Sequence, residues 1–349
     1  MVSGRIPSFG LWFALVVLAP LAAPAETLEQ LYEKAKAEGA LTIYTGAGPA
    51  AAKAGAEAFE KRFPGVKVTA TGGFSNVLDQ EVDKQIKAKK IVVDYVQFQT
   101  IADYYRWDKA GQLLRFKPEG FDQVLAPMKA RNGAWVAVNA TPIFYGYNPE
   151  KVQEGDVPKS ALDFLNAQFS GKMVTAYPAD DDATLYRFVL IAQTYGANYL
   201  KKYLANQAYF IQGHRDVAAR LKAGDSWISF DVTNGSQGPG PGGGLKIALP
   251  AKDKIPVFFT AGGILKHGPH PNAAKLYVSW LLSLEVQGKN PALYSPRSDV
   301  AAPLGLPPLA NKQFANGYRD FLGDGTRVAV IRKNYEALTG PVVNKATVP

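Results

Sequence analysis

Three consecutive aspartates at positions 180–182 form the most concentrated run of acids in the sequence. They precede residues 183–195, whose apolar spacing predicts a helix. One of these acids is expected to cap that helix, because an N-cap carboxylate accepts hydrogen bonds from the first free backbone N–H groups. A cap needs only one acid, and the excess makes Asp182 a candidate ligand-binding residue.

Thr184 and Arg187 lie in the first two turns of the same predicted helix. An arginine there could neutralise an anionic group, since its planar guanidinium forms paired hydrogen bonds with carboxylate or phosphate. The sequence equally allows Arg187 to lie on a solvated face of the helix. We treat Arg187 as a candidate anion ligand and Thr184 as a hydroxyl that could assist it.

Another acid follows the apolar strand predicted at residues 227–230. Asp231 and Asn234 both lie in the loop at the carboxyl end of that strand. Their oxygens can accept hydrogen bonds from an amino or hydroxyl group of a ligand. Both residues are therefore candidates for the same site.

The elements that would position these side chains alternate between strand and helix. Residues 41–45, 66–71 and 91–98 have the composition of buried strands, and each is followed by a turn and a helical pattern. Repeats of this length imply parallel strands joined by right-handed crossovers. In such sheets, ligands bind beyond the carboxyl ends of the strands.

These three strand ends bring further candidates to one mouth. Glycines in the turns let backbone N–H groups approach a ligand, and a helix that begins there attracts anions at its amino end. Each glycine taken singly is explained by turn geometry, but their convergence favours a binding site. The candidates are Thr45, Gly46, Ala47, Ser75, Asn76 and Gln97.

Residues 134–149 are the stretch around which the two halves of the chain are arranged. They alternate apolar and small polar types, with Pro142 inside and Asn148-Pro149 at the end, which predicts extended chain closed by a turn. Such a segment between two α/β halves is most simply a crossover, although an interior strand of one large sheet remains open. Tyr145 on this stretch is another candidate ligand-binding residue.

The length of 349 residues exceeds the size at which a single core usually stops growing, so two domains are expected. We assign residues 26–138 plus about 256–310 to a first lobe and residues 139–255 plus about 311–349 to a second. The predicted fold class is α/β. Each lobe should be a mainly parallel sheet flanked by helices, with a cleft between the lobes.

Residues 1–25 have the pattern of a secretory signal peptide, with a positive start, a short apolar run and Ala23-Pro24-Ala25 as a small-x-small cleavage site. The chain has no cysteine, which excludes disulfides and thiol chemistry. The periplasm is the expected location. The net charge of +9 is dispersed without a basic-aromatic stripe, so nucleic-acid binding is not expected.

The usual patterns of catalysis are missing from the sequence. The histidines at 214, 267 and 270 lack zinc-site spacing, and the Gly-x-Ser-x-Gly and Gly-Lys-Ser motifs do not occur. We expect a recognition protein that uses neither a cofactor nor a metal. A small secreted hydrolase that uses Asp231 or Asp182 is kept as an alternative.

Several short segments, in a fixed order, extend over the whole mature chain. They are residues 39–44, 59–68, 143–148, 169–172 and 270–287, with Arg297 downstream. The most specific is His-Pro-Asn-Ala-Ala-Lys at 270–275. Together they resemble the extracytoplasmic solute-binding proteins of ABC importers, in the group that includes ferric-ion, phosphonate and sugar-phosphate binders.

This resemblance implies a Venus-flytrap fold, in which two α/β lobes close on one solute and the first lobe is completed by chain that returns after the second. It also implies two partners, a small-molecule ligand and an ABC permease in the inner membrane. A monomer is expected. Closure would let the importer distinguish loaded from empty protein.

The sequence departs from the ferric binders of this group in one place. They have adjacent tyrosines after the strand that here covers residues 227–230, whereas this chain reads Phe230-Asp231-Val232. We therefore expect a small organic or phosphorylated anion as the ligand. Ferric iron remains the alternative.

Overall fold

The computed structural model describes Met1 and residues 26–343. The predicted signal peptide lies almost entirely outside the described residues. Eleven α-helices and eleven β-strands form within the described part of the chain.

The helices are α1 (Leu28–Glu38), α2 (Pro49–Arg62), α3 (Ser75–Ala88), α4 (Ile101–Lys109), α5 (Asp182–Tyr195), α6 (Tyr199–Ala205), α7 (His214–Ala223), α8 (Pro271–Leu282), α9 (Leu284–Gln287), α10 (Tyr318–Gly323) and α11 (Gly325–Thr339). The strands are β1 (Ala40–Thr45), β2 (Lys67–Gly72), β3 (Tyr95–Phe98), β4 (Leu113–Leu114), β5 (Val136–Tyr147), β6 (Val174–Ala176), β7 (Tyr209–Ile211), β8 (Ile228–Thr233), β9 (Lys246–Ala248), β10 (Ile255–Leu265) and β11 (Phe314–Ala315).

Local sequence explains why these elements begin and end where they do. Thr27 and Gln30 form a capping box at the start of α1, with each side chain accepting the other residue's backbone N–H at 3.2 and 3.0 Å. Gly39 ends the helix with a φ of 73°, a left-handed conformation that glycine adopts without steric cost. The chain then enters β1 directly.

The first sheet has the strand order β2-β1-β3-β10-β5. Its strands β2, β1 and β3 are parallel, as the strand-helix alternation predicts. The two remaining strands are antiparallel, β10 to β3 and β5 to β10. The sheet is therefore mixed, because the chain leaves it along β5 and returns along β10 in the opposite direction.

Strand β5 extends this sheet to further strands, β8 and β9. Its first half pairs with β10 as far as Pro142, and its second half pairs with β8 and β9 from Ile143 onward. Hydrogen bonding is continuous through the strand, so nine strands form one curled sheet. Residues 134–149 therefore agree with both interpretations of the sequence, since β5 is an interior strand of the sheet and also the crossover between the lobes.

The second lobe is built on β6, β7, β8 and β9. Strands β6 and β7 are parallel, and Met173 beside β6 bridges to Ile228 of β8. Helices α5 and α6 cover one face with an aromatic core, and α7 covers the other with a smaller aliphatic core. We use first lobe for the part around β1, β2, β3 and β10, and second lobe for this part. The residue boundaries expected from the sequence stay a prediction.

The sequence of residues 158–169 predicts a helix, but the structure has two short 3₁₀ turns there, Ala161–Leu165 and Ala167–Phe169. The Asp163 carboxylate accepts the backbone N–H groups of Lys159 and Ser160, each at 2.8 Å. This local bonding closes a tight turn where a longer helix was expected. None of the helices in residues 26–343 is long and apolar enough to cross a membrane.

Phe230 lies at the centre of the second-lobe core and has no exposed surface. Its ring centroid is 5.0 Å from Phe164, 5.2 Å from Phe188 and 4.9 Å from Tyr203. Phe230→Ala should lower the free energy of unfolding by about 3–5 kcal/mol, because it leaves a cavity among rings that cannot collapse. Urea denaturation measures this. Leu162→Ala, at a side chain 49% exposed, is the control and should cost about 0.5 kcal/mol or less. A loss below about 1 kcal/mol at Phe230 would contradict this packing.

Candidate functional site

A cleft with a volume of about 720 Å³ lies between the two lobes. The first lobe lines it with the loops after β1, β2 and β3 and with residues of β5 and β10. The second lobe lines it with the loops before α5 and α7, and α11 contributes Arg332. The carboxyl ends of the parallel strands therefore do face one mouth.

The twelve candidate residues divide into two groups. Those that line the cleft are Gly46, Ala47, Ser75, Asn76, Gln97 and Asp182. Those that lie outside its lining are Thr45, Tyr145, Thr184, Arg187, Asp231 and Asn234. The loops at the strand ends therefore predicted lining residues better in the first lobe than in the second.

The first-lobe wall brings two loops into close contact. A Cβ added at Gly46 would lie 2.3 Å from the Ser75 hydroxyl oxygen, so only glycine fits this approach without a shift. The Ser75 hydroxyl accepts a hydrogen bond from the backbone N–H of Gln99 at 3.3 Å. Thr45 is 5% exposed and supports the same wall from behind, where its hydroxyl accepts the Ala47 N–H at 3.2 Å.

Four helices begin at the cleft without a hydrogen-bonding side-chain cap. They are α2, α3, α4 and α7, and their N-cap residues are Gly48, Phe74, Thr100 and Gly213. Free backbone N–H groups and the partial positive charge of a helix amino end favour an anion. The expectation for α3 at Ser75 and Asn76 therefore extends to both lobes.

Arg187 does not reach the mouth of the cleft. It is 1% exposed and points into the interior, where its guanidinium donates to the backbone carbonyl oxygens of Ile143 and, at 3.4 Å, Lys254. The guanidinium also lies 5.5 Å from the centroid of the Tyr145 ring. The sequence left open whether Arg187 reaches the cleft or lies on a solvated face of α5, and in the structure it lies in neither position.

Asp231 and Thr184 lie beneath the cleft and pair with each other. One carboxylate oxygen of Asp231 accepts the Thr184 hydroxyl at 2.8 Å and the Ala176 backbone N–H at 2.9 Å. Asp231 has no exposed surface, so it cannot contact a ligand directly. These bonds join β8, β6 and α5 below the second-lobe wall.

The two remaining candidates serve internal contacts. The Tyr145 hydroxyl donates to the Asp253 carboxylate in the second-lobe interior. The side-chain amide of Asn234 donates to the backbone carbonyl of Ala292. Both contacts hold segments together and place these polar groups outside the cleft lining.

His214 was not among the residues predicted for the site, because no other histidine lies at metal-site spacing from it in the sequence. Its ring lies between two carboxylates, with Nε2 3.3 Å from Asp181 Oδ1 and Nδ1 3.1 Å from Asp231 Oδ1. These are ion-pair distances, although the ring N–H directions do not meet the oxygens at hydrogen-bonding angles. The ring also stacks on Phe258 of the first lobe, with centroids 5.5 Å apart and an interplanar angle of 17°.

The charge of His214 follows from these neighbours. Burial alone would lower the pKa of His214, but the Asp181 and Asp231 carboxylates outweigh it and raise the pKa well above its usual range. Burial would likewise raise the pKa values of Asp181 and Asp231, but the attraction of His214 prevails and lowers both. The group is therefore an imidazolium between two carboxylates at neutral pH.

Two arginines at the cleft were also missed. Arg332 reaches it from α11, where its guanidinium donates to the Asp182 carboxylate and, at 2.8 Å, to the Ala179 carbonyl oxygen. Arg215 lies in the first turn of α7, and its side chain reaches across the cleft to Gly48. A Cβ added at Gly48 would be only 2.0 Å from a guanidinium nitrogen of Arg215. Within residues 26–343, no carboxylate lies within ion-pair distance of Arg215.

Asp79 and Asp103 form a carboxyl pair on the first-lobe side of the cleft. Burial, together with the neighbouring Asp103 charge, raises the pKa of Asp79 to about 8. Arg106 binds the same group from outside, donating to Asp103 and Asp83 at 2.6 Å each. Asp79 is therefore a neutral carboxylic acid at pH 7.

Side-chain amides of the first lobe donate hydrogen bonds across the cleft to the second lobe, and one of these runs from Asn76 to the Asp180 backbone carbonyl oxygen at 3.3 Å. The Asn76 amide donates to Asp180 Oδ1 at 3.1 Å, and the Gln99 amide donates to Asp181 Oδ2 at 3.1 Å. Asp180 also accepts the Gln212 amide at 2.9 Å. Across the described residues there is no cluster of three or more His, Cys, Asp or Glu side chains spaced to hold a metal ion.

Comparison with known proteins matches the chain to a family of binding proteins. The sequence model of a family described as "Bacterial extracellular solute-binding protein" matches residues 54–295. An Fe(3+)-binding periplasmic protein of Serratia marcescens is 21% identical over 282 residues, which cover 77% of this chain and 82% of the relative.

Solved structures share the fold at low sequence identity. Iron-bound HitA from Pseudomonas aeruginosa is 19% identical, with a TM-score of 0.69 over 85% of this chain and 99% of its own. AfuA from Actinobacillus pleuropneumoniae, with fructose-6-phosphate bound, is 16% identical, with a TM-score of 0.70 over 85% of this chain and 97% of its own. Both are two-lobed periplasmic binding proteins, and the predicted two-lobed α/β fold is confirmed.

The protonated Asp79 gives a stability prediction. The folded state keeps a proton up to a pKa of about 8, whereas the unfolded chain releases it near its ordinary pKa of about 4. The free energy of unfolding should therefore fall as the pH rises from about 5 to about 8. Asp79→Asn cannot lose this proton, so its free energy of unfolding should fall less over the same range. Urea unfolding at the two pH values checks this, with Glu81→Gln on the same helix as control. Equal slopes for Asp79→Asn and the unmodified protein would contradict it.

Proposed function

Because the chain belongs to the family of bacterial extracellular solute-binding proteins, we propose that it captures a small organic or phosphorylated anion between its lobes. On this proposal it is the extracytoplasmic component of an ABC importer and delivers the solute to a membrane permease. The periplasm is its proposed location, and it acts as a monomer. The cleft chemistry supports the anionic character of the solute.

The observation that carries this proposal is the charge state of the cleft wall. Four uncapped helix amino ends converge on it from both lobes. Arg215 adds a full positive charge that no carboxylate of the described chain pairs with. An anion placed among them would receive backbone N–H donors from both lobes, which is the condition for closure on a ligand.

Three of the acids that line the cleft do not oppose this proposal, because each is paired with a cation or is uncharged. Asp181 is paired with His214, and Asp182 with Arg332. Asp79 is neutral at pH 7, since burial beside Asp103 raises its pKa to about 8. A neutral carboxylic acid can donate a hydrogen bond as well as accept one, which suits hydroxyl groups on the same solute.

Ferric iron is the second candidate, and the relative from Serratia marcescens supports it by its name. Iron requires anionic oxygen ligands, and the Asp181 and Asp182 carboxylates of the cleft are already paired with His214 and Arg332. Its aromatic lining residues are Phe74 and Phe258, and Tyr145 is bonded to Asp253 in the interior. We therefore propose an organic anion as the ligand and keep ferric iron as the second candidate.

We infer binding rather than catalysis, in keeping with a family of binding proteins. The hydrolase alternative relied on Asp231 or Asp182. Asp231 has no exposed surface, and the Asp182 carboxylate is bound by Arg332. Neither is placed to activate water against a substrate in the cleft.

The proposal predicts the effect of removing Arg215. The first step is a thermal-stability screen of the mature protein with inorganic phosphate, phosphonates, sugar phosphates, organic acids and ferric citrate. For the anion that stabilises most, Arg215→Gln should weaken binding by about 1.5–3 kcal/mol, because a charge-assisted contact is lost. Calorimetry measures the affinity.

The matched control is Arg220→Gln, on the same helix but outside the cleft lining, and its affinity should be unchanged. Stabilisation by ferric citrate with a strong visible absorption band, and by no other compound, would instead favour iron. Turnover of any compound in the screen would favour the hydrolase.

A further inference from the structure

The second-lobe loop at Asp180 and Asp181 receives hydrogen bonds directly from side chains of the first lobe. Asn76 of α3 and Gln99 before α4 each donate a side-chain amide to it at 3.1 Å. Asp181 is 8% exposed, so its bond with Gln99 is shielded from water. These contacts join the lobes directly, across the cleft in which a ligand would lie.

The position of Asp181 is fixed by bonds within its own lobe. Its Oδ1 accepts the backbone N–H groups of Ala183 and Thr184, both at 2.9 Å, and so caps α5. The same oxygen lies 3.3 Å from Nε2 of His214. The other oxygen, Oδ2, is left to face Gln99.

His214 connects this cap to the sheet below. Its second nitrogen lies 3.1 Å from Asp231, which is tied to β6 and α5 by the bonds described above. Its ring also stacks on Phe258, which belongs to the first lobe. His214 thus contacts both lobes and both acids.

We propose that His214 is the positioning residue of a latch that holds the lobes together before any solute binds. Its positive charge keeps the Asp181 carboxylate ionised and oriented, so that Gln99 of the other lobe can donate to it. The latch consists of His214, Asp181 and Gln99, with Asn76 and Asp180 as a second interlobe bond. It does not depend on which solute the cleft binds.

The charged groups around His214 determine how pH acts on the latch. The loop before α5 faces the ring with Asp181, β8 with Asp231, and β10 with the uncharged Phe258. Arg187 attracts Asp231 from behind, and the amino end of α7 opposes a positive charge on His214. The two adjacent carboxylates are the strongest of these influences, so the imidazolium persists through neutral pH.

The direction of the pH effect follows from the sign of the shift. A histidine whose pKa is raised by its partners stabilises the arrangement fully below its ordinary pKa of about 6.5, and this stabilisation is lost as the pH rises through the raised value. Loss of the proton would leave two buried carboxylates facing an uncharged ring. The latch should therefore weaken in alkaline solution.

The test measures lobe separation in the protein without solute. The chain contains no cysteine, so Lys53→Cys on α2 and Ala219→Cys on α7 would carry the only two spin labels. Pulsed electron paramagnetic resonance then gives the distance distribution between them. We expect a closed fraction at neutral pH that shrinks as the pH is raised through the alkaline range in which the protein stays folded.

Three variants separate a latch from general structural support. Gln99→Ala should lower the closed-to-open ratio about tenfold, since it removes one hydrogen bond to a charged group. Asp181→Asn retains an N-cap but removes a charge from beside His214, so opening should move to lower pH. His214→Gln should abolish the pH dependence, whereas the exposed His267→Gln is the control and should leave it unchanged.

An open, pH-independent distribution in the unmodified protein would overturn the proposal, and so would a closed fraction that Gln99→Ala leaves intact. If His214→Gln does not fold, the Gln99 and Asp181 variants decide the matter. Because no solute is present, failure of the latch leaves the proposed anion binding untouched. Failure of every anion in the stability screen would likewise leave the latch untouched.

Discussion

The structure depends on one constraint, which is that strand β5 must satisfy its backbone hydrogen bonds with a first-lobe strand along one half and with second-lobe strands along the other. Its partner changes from β10 to β8 and β9 between Pro142 and Ile143. A buried strand cannot leave its N–H and C=O groups unpaired, so both lobes are bonded to one continuous strand at the point where the partners change. Arg187 lies at this point and donates to carbonyl oxygens on both chain segments that cross it, at Ile143 and Lys254. Each position of the lobes is thereby tied to the orientation of α5, which begins at the cleft.

The second determinant is the compensation of buried charge around that helix. Transfer of a carboxylate out of water is costly unless a cation or several hydrogen-bond donors accompany it. The second lobe meets this cost with His214 between Asp181 and Asp231, and with Arg332 beside Asp182. The acids that attracted notice in the sequence are thus largely occupied by protein partners. Helix amino ends and Arg215, which no carboxylate of the described residues pairs with, remain in the cleft wall.

The sequence predicted residues that line the cleft where their position follows from strand order. It did not predict positions that depend on the rotation of a helix or on residues far away in the sequence. The first-lobe residues Gly46, Ser75 and Asn76 line the cleft because any parallel strand delivers its following loop to the same edge. Arg187 could not be placed in this way, since one residue of rotation on α5 separates the cleft from the interior. Arg332 belongs to α11 and lies 150 positions after Asp182 in the chain. No local sequence pattern predicts the contact between these two residues. His214 had one usable signal, its place at a helix start directly after Gly213, where a strand-helix unit of the second lobe opens toward the cleft.

Lobe closure on an anion is the central claim of this account, and small-angle X-ray scattering tests it most directly. The radius of gyration would be compared between the solute-free protein and the protein saturated with the most stabilising anion of the screen, at an alkaline pH where the interlobe contacts of His214 are weakest. Closure about β5 predicts a smaller radius of gyration in the saturated sample, because an anion would draw the helix amino ends of both lobes together. An unchanged radius at full saturation would contradict a cleft that closes on its solute.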